Sequence, residues 1–364
     1  MVEASAPDKV HLVGSIALDT VEEVYRTVGK VLGRRLRRVP DGELGTRRMW
    51  ISWQYSVLRG NPLLKVDEEM GLHPRLKFPL LCLADGVKPQ DLRFGELGYA
   101  REARASYVEF EEARKRGELP ADARFQLCLP TPMAVVYAYC PNPRDVLAIE
   151  AAYEAAMLRE VEIACRWIPL HDLSIQWDVC HEMLIWDGQI RSRYTAVGSS
   201  NDEIVARMKR YAAAVPDVVE LGFHLCYGDF EAKHFVEPTD SSKMVELANA
   251  ISQAVDRPIA YIHMPVPISR TDDAFFDPLR DLKLKHGCEL YLGVVHAADG
   301  IVGTQKRIAT ASKYIGGFGI ATECGMARGK TPEVVRELLN IHAGASREPQ
   351  GRSDTSRQPA PTSR

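Results

Sequence analysis

Val218-Val219-Glu220-Leu221-Gly222-Phe223-His224-Leu225-Cys226 opens as a short apolar run and closes on two soft donors two residues apart. The run reads as a buried β-strand. In extended chain, residues i and i+2 project to one face, so His224 and Cys226 can grip one ion together. A second run, Phe318-Gly319-Ile320-Ala321-Thr322-Glu323, leads into Cys324. One imidazole and two thiolates suit zinc, and three protein ligands leave a coordination position for a reacting molecule. The plain alternative is a packed histidine beside a buried cysteine acting as a small hydrophobe.

The same pattern repeats outward along the chain. Strand-like runs occupy residues 11–16, 36–43, 124–129, 173–178, 258–263 and 289–296 in addition to the two above. Helical periodicity fills the gaps at 20–32, 46–58, 99–116, 144–166, 202–214, 241–255, 303–313 and 332–341. Near-continuous apolar strands alternating with amphipathic helices imply a parallel sheet buried on both faces. Eight such units predict an α/β fold, a (β/α)8 TIM barrel forming a single domain over residues 1–345. A long excursion follows its second strand, and an open doubly wound sheet is the competing arrangement. Ser15, Glu43, Asp178, His224, Cys226, His263, His296 and Cys324 all fall at or near C-terminal strand ends. In a barrel those ends converge on one catalytic face.

Composition removes several function classes. Hydrophobic residues make up 46% and charged residues 26% of the 364, an ordinary globular mixture. A net charge of −3 gives no global field for nucleic acid or an anionic membrane, and no stretch approaches the roughly 20 apolar residues of a membrane span. The basic run Arg34-Arg35-Leu36-Arg37-Arg38 reads as a solvated helix end before a buried strand. Eight cysteines occur without a Cys-x-x-Cys pair, and residues 1–9 lack a basic start followed by an apolar block. A reducing cytoplasm is the expected compartment. Residues 346–364, rich in Ser, Pro, Arg and Gln, are expected to be a disordered tail.

Gly14-Ser15-Ile16, Asp41-Gly42-Glu43, Gln176-Trp177-Asp178, His224-Leu225-Cys226-Tyr227 and Glu323-Cys324-Gly325 together resemble, in order, motifs of the cobalamin-independent methionine synthase catalytic domain. That domain belongs to the barrel superfamily shared with uroporphyrinogen decarboxylase and the epoxyalkane:coenzyme M transferases. The resemblance implies zinc held by His224, Cys226 and Cys324, with Ser15, Glu43 and Asp178 contacting an amino-acid thiol. It also implies methyl transfer from a donor to that thiol; a separate methyl-carrier protein is the partner expected if the barrel is instead a non-catalytic accessory subunit. Two departures stand out. His263 occupies the place where the family's methionine synthases supply a glutamate ligand, and the additional N-terminal barrel of those enzymes has no counterpart, which puts folate as donor in doubt.

Alternatives remain at each position. His263 reads as a fourth ligand, a substrate-side acid/base group, or a packed histidine bonded to backbone. His296 divides between pocket lining, as a substrate contact, and structural hydrogen bonding. Glu43 and Asp178 compete with a helix-capping role. Trp50, Trp53, Trp177 and Trp186 are read as core. Gly317-Phe318-Gly319 lacks the third glycine of a dinucleotide loop. His181-Glu182 has Ile185 where a zinc protease needs its second histidine, and no Gly-x-Ser-x-Gly occurs. The leading expectation is thus a zinc-dependent methyl or alkyl transferase, with Asp178 and His263 nearest the chemistry. Thiol addition to an epoxide, decarboxylation, and a non-catalytic zinc- or thiol-binding protein compete with it.

Overall fold

A computed structural model describes residues 7–188, 198–229 and 233–349. Most of the expected tail, 350–364, lies outside the described residues, as do 1–6, 189–197 and 230–232 within the expected domain. The strands are β1 (Arg38–Pro40), β2 (Leu64–Val66), β3 (Leu81–Leu83), β4 (Arg124–Pro130), β5 (Leu173–Val179), β6 (Glu220–Leu225), β7 (Tyr261–Pro265), β8 (Glu289–Val295) and β9 (Gly319–Thr322). Seven of them form one parallel sheet in the order β1-β4-β5-β6-β7-β8-β9.

The expected first strand is not a ladder strand. Residue Val10 instead makes isolated parallel bridges to both Leu36 and Ile320, and Ile16 makes one to Met326. His11 N donates to Ile320 O at 2.9 Å, and Ile16 N donates to Gly42 O at 2.8 Å. One segment therefore touches both ends of the sheet. This requires the sheet to curl until its edge strands stand about 10 Å apart, two strand spacings.

Burial explains why these residues form strands. Every residue of β5 and β7 is buried, as expected where helices cover one side and packed side chains the other. The interior is filled by rows of register partners. Gln176, Gly222, Tyr261 and Glu289 form one row, and Asp178, His224, His263 and Tyr291 form the next. Gly222 is required by its row, since a Cβ there would lie 2.1 Å from Tyr261 Cζ. Tyr261 Oη donates to Gln176 Oε1 at 3.1 Å, and Gln176 Nε2 donates to Asp178 Oδ1 at 2.9 Å. These polar links connect the packed interior to the row above it.

The opposite end of the sheet is closed by ions. Arg38 is buried, not solvated as the basic run suggested. It donates to Glu220 and, at 3.1 Å, to Glu289, with its guanidinium 4.5 Å from the Tyr261 ring centroid. A guanidinium satisfied this way tolerates burial because its charge and donors are both matched.

Most helices match their periodicity. Val21–Leu32 starts at Thr20, whose hydroxyl accepts from Glu23 N at 3.1 Å. Pro332–Ala345 starts with proline after Thr331, a pre-organised first turn. The helix expected over 46–58 is broken into turns at Gly45–Met49 and Ser52–Gln54 before Tyr55–Arg59. Trp50 has φ +54, a left-handed conformation that no continuous right-handed helix accommodates. The excursion also contains the antiparallel pair β2–β3. Helices Pro132–Tyr139 and His181–Asp187 lie in segments where no helix was expected. No helix among the described residues is long and apolar enough to cross a membrane.

Candidate active site and metal centre

β6 ends with His224 and Leu225, and Cys226 follows directly; Cys324 lies two residues past β9. The curl of the sheet brings these ends together. The donor atoms of His224, Cys226 and Cys324 all lie within 4.8 Å of one another, and the two sulfurs are 3.9 Å apart. His224 Nδ1 meets His263 Nδ1 at 2.7 Å, while His224 Nε2 is buried with no hydrogen-bond partner. A buried, orphaned imidazole nitrogen costs free energy unless something fills it. The sulfurs have donors: Gly228 N to Cys226 Sγ at 3.3 Å, and Arg328 Nη2 to Cys324 Sγ at 3.2 Å.

These side chains resist ionisation. Cys226 is pushed well above the ordinary thiol range by its hydrogen bond with Cys180, with burial adding to the rise. Cys324 is pushed the same way by its hydrogen bond with Cys226 and by burial. Burial, then the neighbouring His263, pull His224 well below the ordinary imidazole range. A neutral imidazole with a free nitrogen beside two soft sulfurs fits a zinc ion, since a coordinating thiol loses its proton outright.

A cavity of about 410 Å³ opens onto this trio, and Ser15, Glu43 and Asp178 also line it. Six of the eight expected site residues therefore share one space. Gly325 makes the approach of Ser15 to the Cys324 turn feasible, because a Cβ there would lie 2.1 Å from Ser15 Oγ.

Glu43 and Asp178 do not act as helix caps. Asp178 accepts from Gln176 Nε2 at 2.9 Å and from Trp50 Nε1 at 3.1 Å. Asp41 of the same Asp-Gly-Glu motif binds Arg47 at 2.8 Å and Ser106 at 2.6 Å, so it holds the turn and occupies that arginine. Glu43 itself sits at φ +50, a conformation that non-glycine residues adopt at a cost of about 1–3 kcal/mol and retain at functional positions. Burial raises Glu43 above the ordinary carboxylate range, with Asp178 adding to the rise and Arg47 and Arg328 opposing it. Burial raises Asp178 too, against the hydrogen bonds from Gln176 and Trp50. Two desolvated carboxylates without a dedicated counter-ion make a site that favours a cation.

His263 and His296 do not line the cavity. His263 touches His224 through its ring and is not part of the group whose donor atoms lie within 4.8 Å of one another. His296 bonds Val266 O through Nε2 at 2.9 Å and lies 3.6 Å from Glu323 through Nδ1, which matches its structural alternative. Sequence reasoning passed over Trp50, Arg328 and Cys180, all of which line the cavity. Trp50 was assigned to the core with the other tryptophans. Arg328 and Cys180 lie just beyond quoted motifs, where no spacing rule singles them out.

No family model matches the chain, and no curated protein matches it. Solved structures do. A B12-independent methionine synthase from Shewanella sp. W3-18-1, in complex with selenomethionine, superimposes with a TM-score of 0.61 at 16% identity, covering 94% of this chain and 97% of that one. A putative vitamin-B12-independent methionine synthase from Listeria monocytogenes gives 0.54 at 13% identity, over 94% and 99% of the two chains. A methyltransferase from Methanosarcina mazei gives 0.50 at 10% identity, over 94% and 95%. At these identities the likeness is one of fold.

Proposed function

We propose that this chain is a zinc-dependent transferase that moves a methyl or other alkyl group onto a thiol, built on a closed (β/α)8 barrel. The observation that carries the reading is the meeting of His224, Cys226 and Cys324 within 4.8 Å on the wall of the cavity that Glu43 and Asp178 also line. Zinc held by the trio would supply a site at which a substrate sulfur is bound as thiolate near neutral pH.

The remaining work falls to the chain's own residues. Glu43 and Asp178 bind and orient the ammonium of an amino-acid thiol, and Trp50 and Gln176 fix the Asp178 carboxylate for that contact. Ser15 offers a hydroxyl on the same wall. Arg328, held by Asp229 at 3.2 Å, donates to Cys324 Sγ and steadies charge on that sulfur. Holding the thiol in one pose turns the encounter with the alkyl donor into a proximity-assisted step.

The selenomethionine in the Shewanella structure is itself an amino acid carrying a methyl group on a chalcogen, the product class proposed here. The acidic pair disfavours a sulfonate-bearing thiol such as coenzyme M, which it would repel. A decarboxylase has no use for the three soft donors.

The test is metal analysis coupled to X-ray absorption at the zinc edge, with homocysteine and simpler thiols added in turn. A stoichiometric zinc whose sulfur count rises by one on adding homocysteine is the expected outcome. A metal-free protein, or a four-ligand shell indifferent to every thiol, would sink the reading.

A further inference from the structure

His224 and His263 are register partners on β6 and β7. Their rings meet through the two Nδ1 atoms at 2.7 Å, with centroids 4.8 Å apart. His224 Nε2 is buried and lacks a hydrogen-bond partner, whereas the His263 ring also bonds the Thr322 backbone. A hydrogen bond between two neutral imidazole nitrogens contains one proton, so one Nδ1 donates and the other accepts. Were His263 the donor, His224 would carry its own proton on Nε2 and have no lone pair there. With His224 as donor, its Nε2 lone pair is free for the ion that Cys226 and Cys324 would share.

The same contact removes His263 from the metal's reach. The joined nitrogens lie between the rings, so the two Nε2 atoms sit at the outer ends of the pair. One zinc ion must lie about 2.0–2.1 Å from each nitrogen it binds, and it cannot touch both outer ends. His263 is also absent from the wall of the cavity.

We infer that His263 is a positioning residue: it holds His224 in the tautomer protonated at Nδ1 and leaves the fourth coordination position to the incoming thiol. The inference rests on the zinc centre proposed above and goes beyond it by taking this histidine out of the ligand shell. Partners that fix a ligand's tautomer in this way are worth about 10- to 100-fold in metal affinity.

The test uses the full chain with isotope-labelled histidine, loaded with an NMR-active cadmium isotope. A single imidazole coupled to the metal through Nε2, with a proton retained on its Nδ1, is expected. Two metal-coupled imidazoles would overturn the inference while leaving the metal centre intact. A chain that takes up neither zinc nor cadmium would overturn the metal centre and this inference with it. In parallel, His263→Leu should weaken zinc about 10- to 100-fold in chelator competition without losing a nitrogen from the zinc-edge spectrum. His263→Gln, whose carbonyl can accept from Nδ1, should recover most of the affinity. Loss of one nitrogen scatterer in either folded variant would show His263 to be a ligand.

Discussion

Cys324 is the residue on which the trio of soft donors turns, because it alone of the three comes from outside the β6 region. Its sulfur lies past the end of β9, at the edge of the core, and serine nearly matches it in size. Cys324→Ser should therefore lose most bound zinc and all thiol alkylation, while urea unfolding stays within about 0.5 kcal/mol of the metal-free parent. Full zinc occupancy in the variant would remove Cys324 from the ligand set. Glu43 makes the opposite kind of prediction. Its raised proton affinity means that the folded state holds a proton that the unfolded chain has already released, so stability falls as pH rises above the ordinary carboxylate range. Glu43→Gln should flatten that decline and unfold at higher temperature than the parent at pH 8, while the KM for an amino thiol rises. A parent whose stability does not fall between pH 5 and 8 would contradict the desolvated pair.

Among the elements, the strands were legible in sequence because their physics is local. An apolar run ending in a polar residue is read the same way whether or not its neighbours are known. That is why seven of eight runs appear as ladder strands and six of the eight tip residues share one cavity. The connections were not legible for the same reason reversed. Trp50 adopts a left-handed backbone to carry its indole to Asp178, a partner 128 residues away that no helical periodicity can register. The strand-tip position of His263 suggests a ligand; its ring contact with His224 lies between strands and cannot be read from spacing. Gly222 illustrates a constraint at this scale. Gly222→Ala should destabilise the protein by about 1–3 kcal/mol through overpacking against Tyr261. Trimming that ring in a Gly222→Ala/Tyr261→Leu double variant should recover part of the loss. Simple additivity of the two changes in urea titrations would dismiss the clash.

For the molecule as a whole, the two ends of the sheet carry different side-chain chemistry. Arg38 with Glu220 and Glu289 closes one end, and the soft donors and carboxylates occupy the other. Arg38→Ala should cost about 3 kcal/mol by stranding its carboxylate partners, yet the folded variant should keep its zinc and its thiol affinity. Metal loss that tracks the stability loss in still-folded protein would show the two ends to be coupled.

The segment around residues 10–16 bridges Leu36, just before β1, and Ile320 and Met326 on the far side. A ribosome makes that segment more than three hundred residues before its distant partners. Until then, the growing sheet has edges open to other chains, the condition in which unfinished proteins aggregate. Ser15 belongs to that early segment, so the cavity acquires this part of its wall at the final closure. Nascent chains stalled before Ile320 should remain protease-sensitive at their N-terminal segment, whereas release of the finished chain should protect it.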